Sequence, residues 1–162
     1  MSANGATQEV LGVNAKAEES IRWIAHSLLI GGFAMLILDI RFEHREAVGD
    51  TPLAWIPIVF SGVMIFLIPL ALMLWKKGGK QLLAFGYGAA ILVGLLGCFF
   101  HANGHFVDHM VKTLVVWQSL VTKSEPNAWF PPFFAPLAFD GLGSIGLFFT
   151  FQDEIKKIFA AR

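Results

Sequence analysis

The sequence has few charged residues and no net charge. Charged side chains make up 15% of its 162 residues, compared with about 25% in a typical soluble domain. The 12 basic residues balance the 12 acidic ones, so no overall positive field attracts nucleic acid. In contrast, 56% of the residues are hydrophobic and the mean hydropathy is +0.63. The composition therefore argues against a typical soluble domain and indicates a lipid bilayer as the main surroundings of the chain.

The chain also lacks the motifs of several enzyme classes. Its one cysteine, Cys98, can form no disulfide within the chain and no thiolate cage for a metal. There is no Walker A loop, no G-x-S-x-G, no H-E-x-x-H and no C-x-x-C-H. The spacing G-x-G-x-x-G occurs at residues 141–146, but it lies within a long apolar stretch and not between a strand and a helix, which is the context that a dinucleotide site requires. Nucleotide binding, esterase chemistry, zincin proteolysis and covalent haem attachment therefore have no support in the sequence.

Four apolar stretches are long enough to cross a membrane, which takes about 20 residues. They cover residues 21–40, 53–75, 82–100 and 130–151. This pattern predicts an all-α integral membrane protein with four transmembrane helices, arranged as two tandem helical hairpins in a compact bundle. The predicted regions are a cytoplasmic N-terminal segment (1–20), the four-helix transmembrane domain (21–151) and a cytoplasmic tail (152–162).

The distribution of lysine and arginine predicts the orientation of the spans. With four spans, the N-terminus, the 76–80 loop and the C-terminus share one side of the membrane. That side holds eight basic residues, and the two longer connections, 41–52 and 101–129, hold the other four of the 12. Because cytoplasmic loops are enriched in lysine and arginine, we expect both termini in the cytoplasm. The predicted location is the cell membrane, as a multi-pass protein of the bacterial inner membrane type.

A short internal repeat marks the starts of two spans. The pattern P-x-A-W-x-P occurs at residues 52–57 and again at 126–131. Duplication would relate the two hairpins by a pseudo-twofold axis along the membrane normal and bring spans one and three together at the centre. Tryptophan anchoring and proline in the first helical turn can also produce similar starts without duplication.

The third span carries a stripe of small residues that leads into a cluster of histidines. Residues at steps of three and four, which share one helical face, are Gly86, Ala90, Gly94, Gly97, His101, Gly104, His105 and Asp108. His109 is only slightly rotated from this face. Small residues mark the side on which membrane helices approach each other. We therefore expect this face to point into the bundle and to bring the histidines to its outward end.

The outward end of the first span adds Asp39, Glu43 and His44 at the same depth, on a helix that we expect to be a neighbour. Imidazoles and carboxylates together suit iron, copper, zinc or manganese. The predicted metal ligands are Asp39, Glu43, His44, His101, His105, Asp108 and His109. Alternatively, His44 with His101 or His105 would ligate a b-type haem, with the glycine stripe making room for the macrocycle. Solvated interfacial side chains, or a proton or ion path, are the other interpretations.

Two polar residues lie deeper in the predicted spans. Asp140 is about ten residues into the fourth span, where a carboxylate is costly unless it is neutral, paired or hydrated. We expect it either to act behind the metal ligands, as a hydrogen-bond partner or proton relay, or to be a protonated acid bonded to a neighbouring helix. His26, near the inward end of the first span, is predicted to be packed or interfacial.

These patterns predict a small membrane subunit that binds a transition metal or haem b and serves electron transfer or an accessory role in a membrane redox complex. The expected partners are the lipid bilayer and other subunits of that complex. A structural or assembly subunit without a cofactor, and a proton-coupled or ion-coupled transporter, are the alternatives. The sequence leaves open whether the protein is an enzyme.

Overall fold

The part of the chain that the computed structural model describes is helical. It comprises residues 3–43, 49, 52–101, 111, 115 and 136–160, excluding the side chains of residues 3–15, 43, 101 and 160. In this part of the chain the helices are α1 (Ala3–Glu43), α2 (Ile56–Met73), α3 (Gly79–His101), α4 (Leu137–Thr150) and α5 (Gln152–Ala160). Short 3-10 turns at Pro52–Trp55 and Trp75–Lys77 precede α2 and α3.

Three of these helices are long and apolar enough to cross a membrane. Their apolar segments are Lys16–Phe42 with 27 residues, and Pro52–Met73 and Gly79–Phe100 with 22 residues each. Helix α4 is also apolar but has only 14 residues. The all-helical class predicted from the sequence is confirmed for the described residues, and the first three predicted spans each have a matching helix. The predicted start of the fourth span at residue 130 lies outside the described residues.

The long helices carry large apolar side chains on their outer surfaces as well as between them. Leu28 of α1, Phe66 of α2 and Phe85 of α3 are 72%, 78% and 76% exposed. A helix that is apolar on all sides is stable in lipid, whereas in water it would need burial on every face. The outer surface of this fold therefore matches a bilayer.

A tight turn joins α2 to α3. Gly78 has φ +96°, a left-handed conformation that glycine adopts without the steric cost of a side chain. A Cβ on Gly79 would collide with the carbonyl oxygen of Ala71 and would lie 2.7 Å from the carbonyl carbon of Leu74. Both glycines are therefore needed for α3 to turn back against α2 as an antiparallel hairpin.

The four apolar helices pack in cyclic order. Helix α1 packs on α2, α2 on α3, α3 most extensively on α4, and α4 again on α1. As a result, α1 and α3 are diagonal to each other. The prediction from the internal repeat that spans one and three meet at the centre is not confirmed, because in the described residues α1 and α3 each pack more extensively on α2 and α4 than on each other. The second copy of the repeated motif lies outside the described residues.

Three phenylalanines fill the middle of this arrangement. Phe33 of α1 lies with its ring centroid 6.3 Å from those of both Phe60 of α2 and Phe139 of α4, and the latter two are 6.1 Å apart. Such separations are typical of tilted and edge-to-face aromatic pairs. This cluster fixes α1, α2 and α4 at a common level, near the starts of α2 and α4.

Candidate functional site

The predicted ligand cluster lies at the edge of what the structure describes. Outside the described residues are His44, His105, Asp108 and His109. Glu43 and His101 are the last residues of α1 and α3, and Asp39 is exposed one turn before the end of α1. Within the described ranges, no three histidine, cysteine or acidic side chains come together as a group that would hold a metal. The predicted metal or haem site therefore stays a prediction.

The described helices show that the C-terminal ends of α1 and α3 lie at about the same height. The two helices run in the same direction, with His26 of α1 beside Tyr87 of α3 at a ring-centroid distance of 5.8 Å. Because both helices rise by the same distance per residue, a residue of α1 lies at the same height as the residue of α3 whose number is about 60 higher. His101 consequently lies level with the segment between Asp39 and Glu43. The sequence predicted one depth for these residues on neighbouring helices, whereas in the structure α1 and α3 are diagonal.

The small residues of α3 allow α2 and α4 to pack closely against it. A Cβ on Gly86 would lie 3.1 Å from the sulfur of Met64 in α2, and one on Gly97 would lie 2.7 Å from Cβ of Pro136 at the start of α4. A Cβ on Gly94 would collide with Oδ2 of Asp140. The prediction that this stripe faces other helices is confirmed. The expectation that it leaves room for a haem macrocycle is wrong along residues 86–97, because side chains and backbone of α2 and α4 fill that space.

Asp140 lies in the first turn of α4 and faces Gly94 of α3. Its Oδ2 atom is shielded from solvent and has no hydrogen-bond partner among the described residues. The partial positive charge at a helix N-terminus favours a carboxylate in this turn. His101 is seven residues beyond Gly94, which is about 10 Å along the helix axis. The backbone of His101 is therefore about two helical turns beyond the level of Asp140.

A second polar cluster, which we call the inner cluster, occupies the opposite end of the helices. It consists of Arg22 and His26 of α1, Trp75, Tyr87 of α3 and Thr150 of α4. His26 and Tyr87 have no exposed surface, and Thr150 is 2% exposed. The His26 ring lies 6.5 Å from that of Trp75 and 5.8 Å from that of Tyr87. Sequence analysis predicted a packed or interfacial His26, and the structure shows it packed.

Hydrogen bonds order the inner cluster. Nδ1 of His26 lies 2.8 Å from the carbonyl oxygen of Arg22, to which a protonated Nδ1 donates. The Thr150 hydroxyl donates to the carbonyl oxygen of Gly146 at 2.7 Å and lies 3.5 Å from Nε2 of His26. Because a hydroxyl has one hydrogen and two lone pairs, Thr150 can still accept a bond from a protonated Nε2. The imidazole therefore has a hydrogen-bond acceptor beside each ring nitrogen.

Sequence reasoning missed Tyr87 and Thr150 as partners of His26. Tyr87 is the only tyrosine in the chain, and its hydroxyl is buried without a partner among the described residues. A lone tyrosine next to a glycine stripe is a weak signal for an interior polar group. Thr150 is 124 residues from His26, and nothing local in the sequence connects them.

Charged residues of α1, α3 and α5 form ion pairs at the same end of the helices as the inner cluster. Lys80 at the start of α3 forms a hydrogen-bonded ion pair with Glu154 of α5, and Lys156 lies 3.4 Å from Glu18 of α1. The hydrogen bond from Lys80 lowers the pKa of Glu154 below its usual value. The Arg22 guanidinium carbon lies 4.3 Å from the centroid of the Trp75 ring, within the range of a cation–π interaction.

No protein-family model, no curated protein and no solved structure matches the chain. The functional assignment therefore depends on the residues and contacts described above.

Proposed function

We propose that the chain is a four-span integral membrane protein with both termini in the cytoplasm, in which α4 forms part of the fourth span. Three helices of sufficient length and apolar character support the membrane location. The basic residues around the α2–α3 turn and α5 support the orientation, because lysine and arginine are enriched on the cytoplasmic side. Single cysteines introduced at Lys77, which is exposed in the α2–α3 turn, and at Gly49 in a Cys98→Ala background test it. A membrane-impermeant thiol reagent added outside intact cells labels only the second position under this topology.

We further propose that the outward end holds a transition metal or a b-type haem between α1 and α3. The observation that carries this proposal is the common level of Asp39, Glu43 and His101 at the ends of two diagonal helices that run in the same direction. Cofactor sites of helical bundles are built in the core from side chains on facing helices. The proposed haem ligands are His44 with His101 or His105.

Acidic residues near the same ends of α1 and α3 would add carboxylate ligands to the histidines in a metal site. Asp39 and Glu43 belong to α1, and Asp108 and His109 follow His105 in the chain. Mixed imidazole and carboxylate donors suit iron, zinc, copper or manganese. Asp140 would act behind the ligands as a proton relay through water, since it is about 10 Å from His101 along the axis of α3. A small electron-transfer or accessory subunit of a redox complex is the function that such a site would serve.

The ligands are tested by the metal content and optical spectrum of purified variants. We expect His101→Ala/His105→Ala to lose the bound metal or the Soret band, and His44→Ala to lower it. His26→Gln, which changes a histidine at the opposite end, is the matched control and should keep the full cofactor content. Loss of cofactor in His26→Gln alone, with full content in the double variant, would contradict the assignment of the site to the outward end.

A further inference from the structure

Arg22 is a cation that forms no ion pair with the described residues. Its guanidinium group stacks over Trp75, and its Nε atom is shielded from solvent without a hydrogen-bond partner among the described residues. The ion pairs found in this part of the chain join Lys80 to Glu154 and Lys156 to Glu18. Neither involves Arg22, so its charge is available to a ligand.

Two more cations follow the same tryptophan in the chain. Lys76 and Lys77 directly follow Trp75 in the α2–α3 turn, and both are exposed. In the described ranges neither forms an ion pair. Arg22, which lies over the Trp75 ring, and the two lysines that follow Trp75 in the chain thus bring three positive charges to this turn, and the acids Glu18 and Glu154 are paired with other lysines.

The surroundings of this group are apolar on the side toward the membrane. Met73, the last residue of α2, is 77% exposed, and Leu74 is 38% exposed. Trp23, next to Arg22 in the chain, is 36% exposed. Tryptophans are enriched where a membrane meets water. A ligand that fits here has an anionic head, which reaches the three cations, and apolar chains, which lie along the end of α2.

We propose that Arg22, Lys76, Lys77 and Trp75 form a binding site for the phosphate group of an anionic phospholipid. Arginine binds phosphate oxygens through two parallel N–H groups, and stacking on Trp75 fixes the plane of the guanidinium group. Basic pockets at helix ends on the cytoplasmic side are a known way to recognise anionic headgroups. The site is at the opposite end from the proposed cofactor, and neither proposal depends on the other.

Native mass spectrometry of the full chain tests the site. The protein, released from mixed micelles with dioleoyl phosphatidylglycerol or with dioleoyl phosphatidylcholine, is expected to retain the first lipid and not the second. Arg22→Gln and Lys76→Gln/Lys77→Gln should each weaken retention of phosphatidylglycerol about fivefold or more, as expected for charges close to an anionic surface. Lys157→Gln is the matched control, because it removes an exposed cation of α5 and not one that follows Trp75 in the chain.

A charge-conserving variant and a competitor distinguish a lipid site from general electrostatic attraction and from a site for free phosphate. Arg22→Lys, which keeps the charge but not the paired N–H groups, should bind with an intermediate affinity, and its folding is checked by helical circular dichroism. Equal weakening by Lys157→Gln and Arg22→Gln would overturn the site in favour of general electrostatic attraction. Competition by millimolar inorganic phosphate would overturn the lipid as the ligand, and unchanged retention in Arg22→Gln would overturn the proposal altogether.

Discussion

The hydroxyl of Thr150 lies 3.5 Å from Nε2 of His26, across 124 residues of sequence. Both side chains are fully buried or nearly so, and they join α1 to the last residue of α4. The same hydroxyl bonds to the carbonyl oxygen of Gly146. A buried polar pair of this kind stabilises the packing only when its hydrogen bonds are made.

Thr150→Val should therefore destabilise the protein. The substitution keeps the shape of the side chain but removes the hydroxyl, which leaves Nε2 of His26 without this neighbour. We expect a loss of about 1–3 kcal/mol in the free energy of unfolding, measured by thermal or denaturant unfolding in detergent. Thr150→Ser, which keeps the hydroxyl, is the control and should lose less. A Thr150→Val protein that is as stable as the wild type would show that the contact contributes nothing.

Gly146→Ala should separate α3 from α4. A Cβ at this position would collide with the ring of Tyr87, and overpacking of this kind costs about 1–3 kcal/mol. Gly141, in the same helix, has nothing within 4 Å of its Cβ position. Gly141→Ala should leave stability unchanged or raise it by up to about 1 kcal/mol through helix propensity. The prediction fails if the two variants unfold at the same temperature.

Gly94 and Asp140 should show coupled effects on stability. A Cβ on Gly94 would collide with Oδ2 of Asp140 and would lie 2.9 Å from the carbonyl oxygen of Pro136. We expect Asp140→Ala to relieve part of the damage caused by Gly94→Ala, with a coupling of about 0.5–3 kcal/mol in a double-mutant cycle. Gly88→Ala, whose Cβ has open space, should show no coupling to Asp140→Ala. Strict additivity of Gly94→Ala and Asp140→Ala would contradict the contact.

The ion pair between Lys80 and Glu154 predicts a dependence on pH. The hydrogen bond from Lys80 is the main cause of the lowered pKa of Glu154. Because the pKa in the folded protein is below that in the unfolded chain, the pair stabilises the fold above the unfolded pKa. This contribution is lost as pH falls through the folded value. It is small, since Glu154 is exposed to solvent.

Lys80→Gln should raise the pKa of Glu154 toward that of an ordinary glutamate, because the hydrogen bond from Lys80 is the main cause of its lowered pKa. Carbon-13 chemical shifts of the Glu154 carboxyl, followed through an acid titration, measure the change. Lys76→Gln removes a charge from the same turn region without contacting Glu154 and serves as the control. An unchanged titration of Glu154 in Lys80→Gln would rule out this pair in solution.

The sequence predicted the helical class and four spans, three of which have a matching long apolar helix, because apolar length is a property of each segment alone. It also predicted the inward face of α3, since Gly94 and Gly97 recur at helical spacing. It did not predict which helices are neighbours. A repeated motif at two span starts does not specify pairing, and the close approach of α4 to these glycines depends on Pro136 and Asp140, which are distant in the chain.

The candidate sites differ in how many of their residues could be predicted from the sequence. The outward histidines were identified from spacing, and the structure adds the common level of His101 and the end of α1. The inner cluster was not predicted, because Tyr87 and Thr150 acquire their roles only through contact with His26. Likewise, Arg22 and Trp75 are an ordinary basic residue and an ordinary interfacial tryptophan until the α2–α3 turn brings them together.

The cofactor content of the wild-type protein tests the central proposal most directly. The protein would be purified in detergent from cells supplied with haem and transition metals, and its optical spectrum and elemental composition measured against protein concentration. We predict a Soret band or one metal ion per chain at a constant ratio across preparations. A colourless protein with no stoichiometric metal would contradict the cofactor site, and a structural or assembly subunit would then be the better account of this chain.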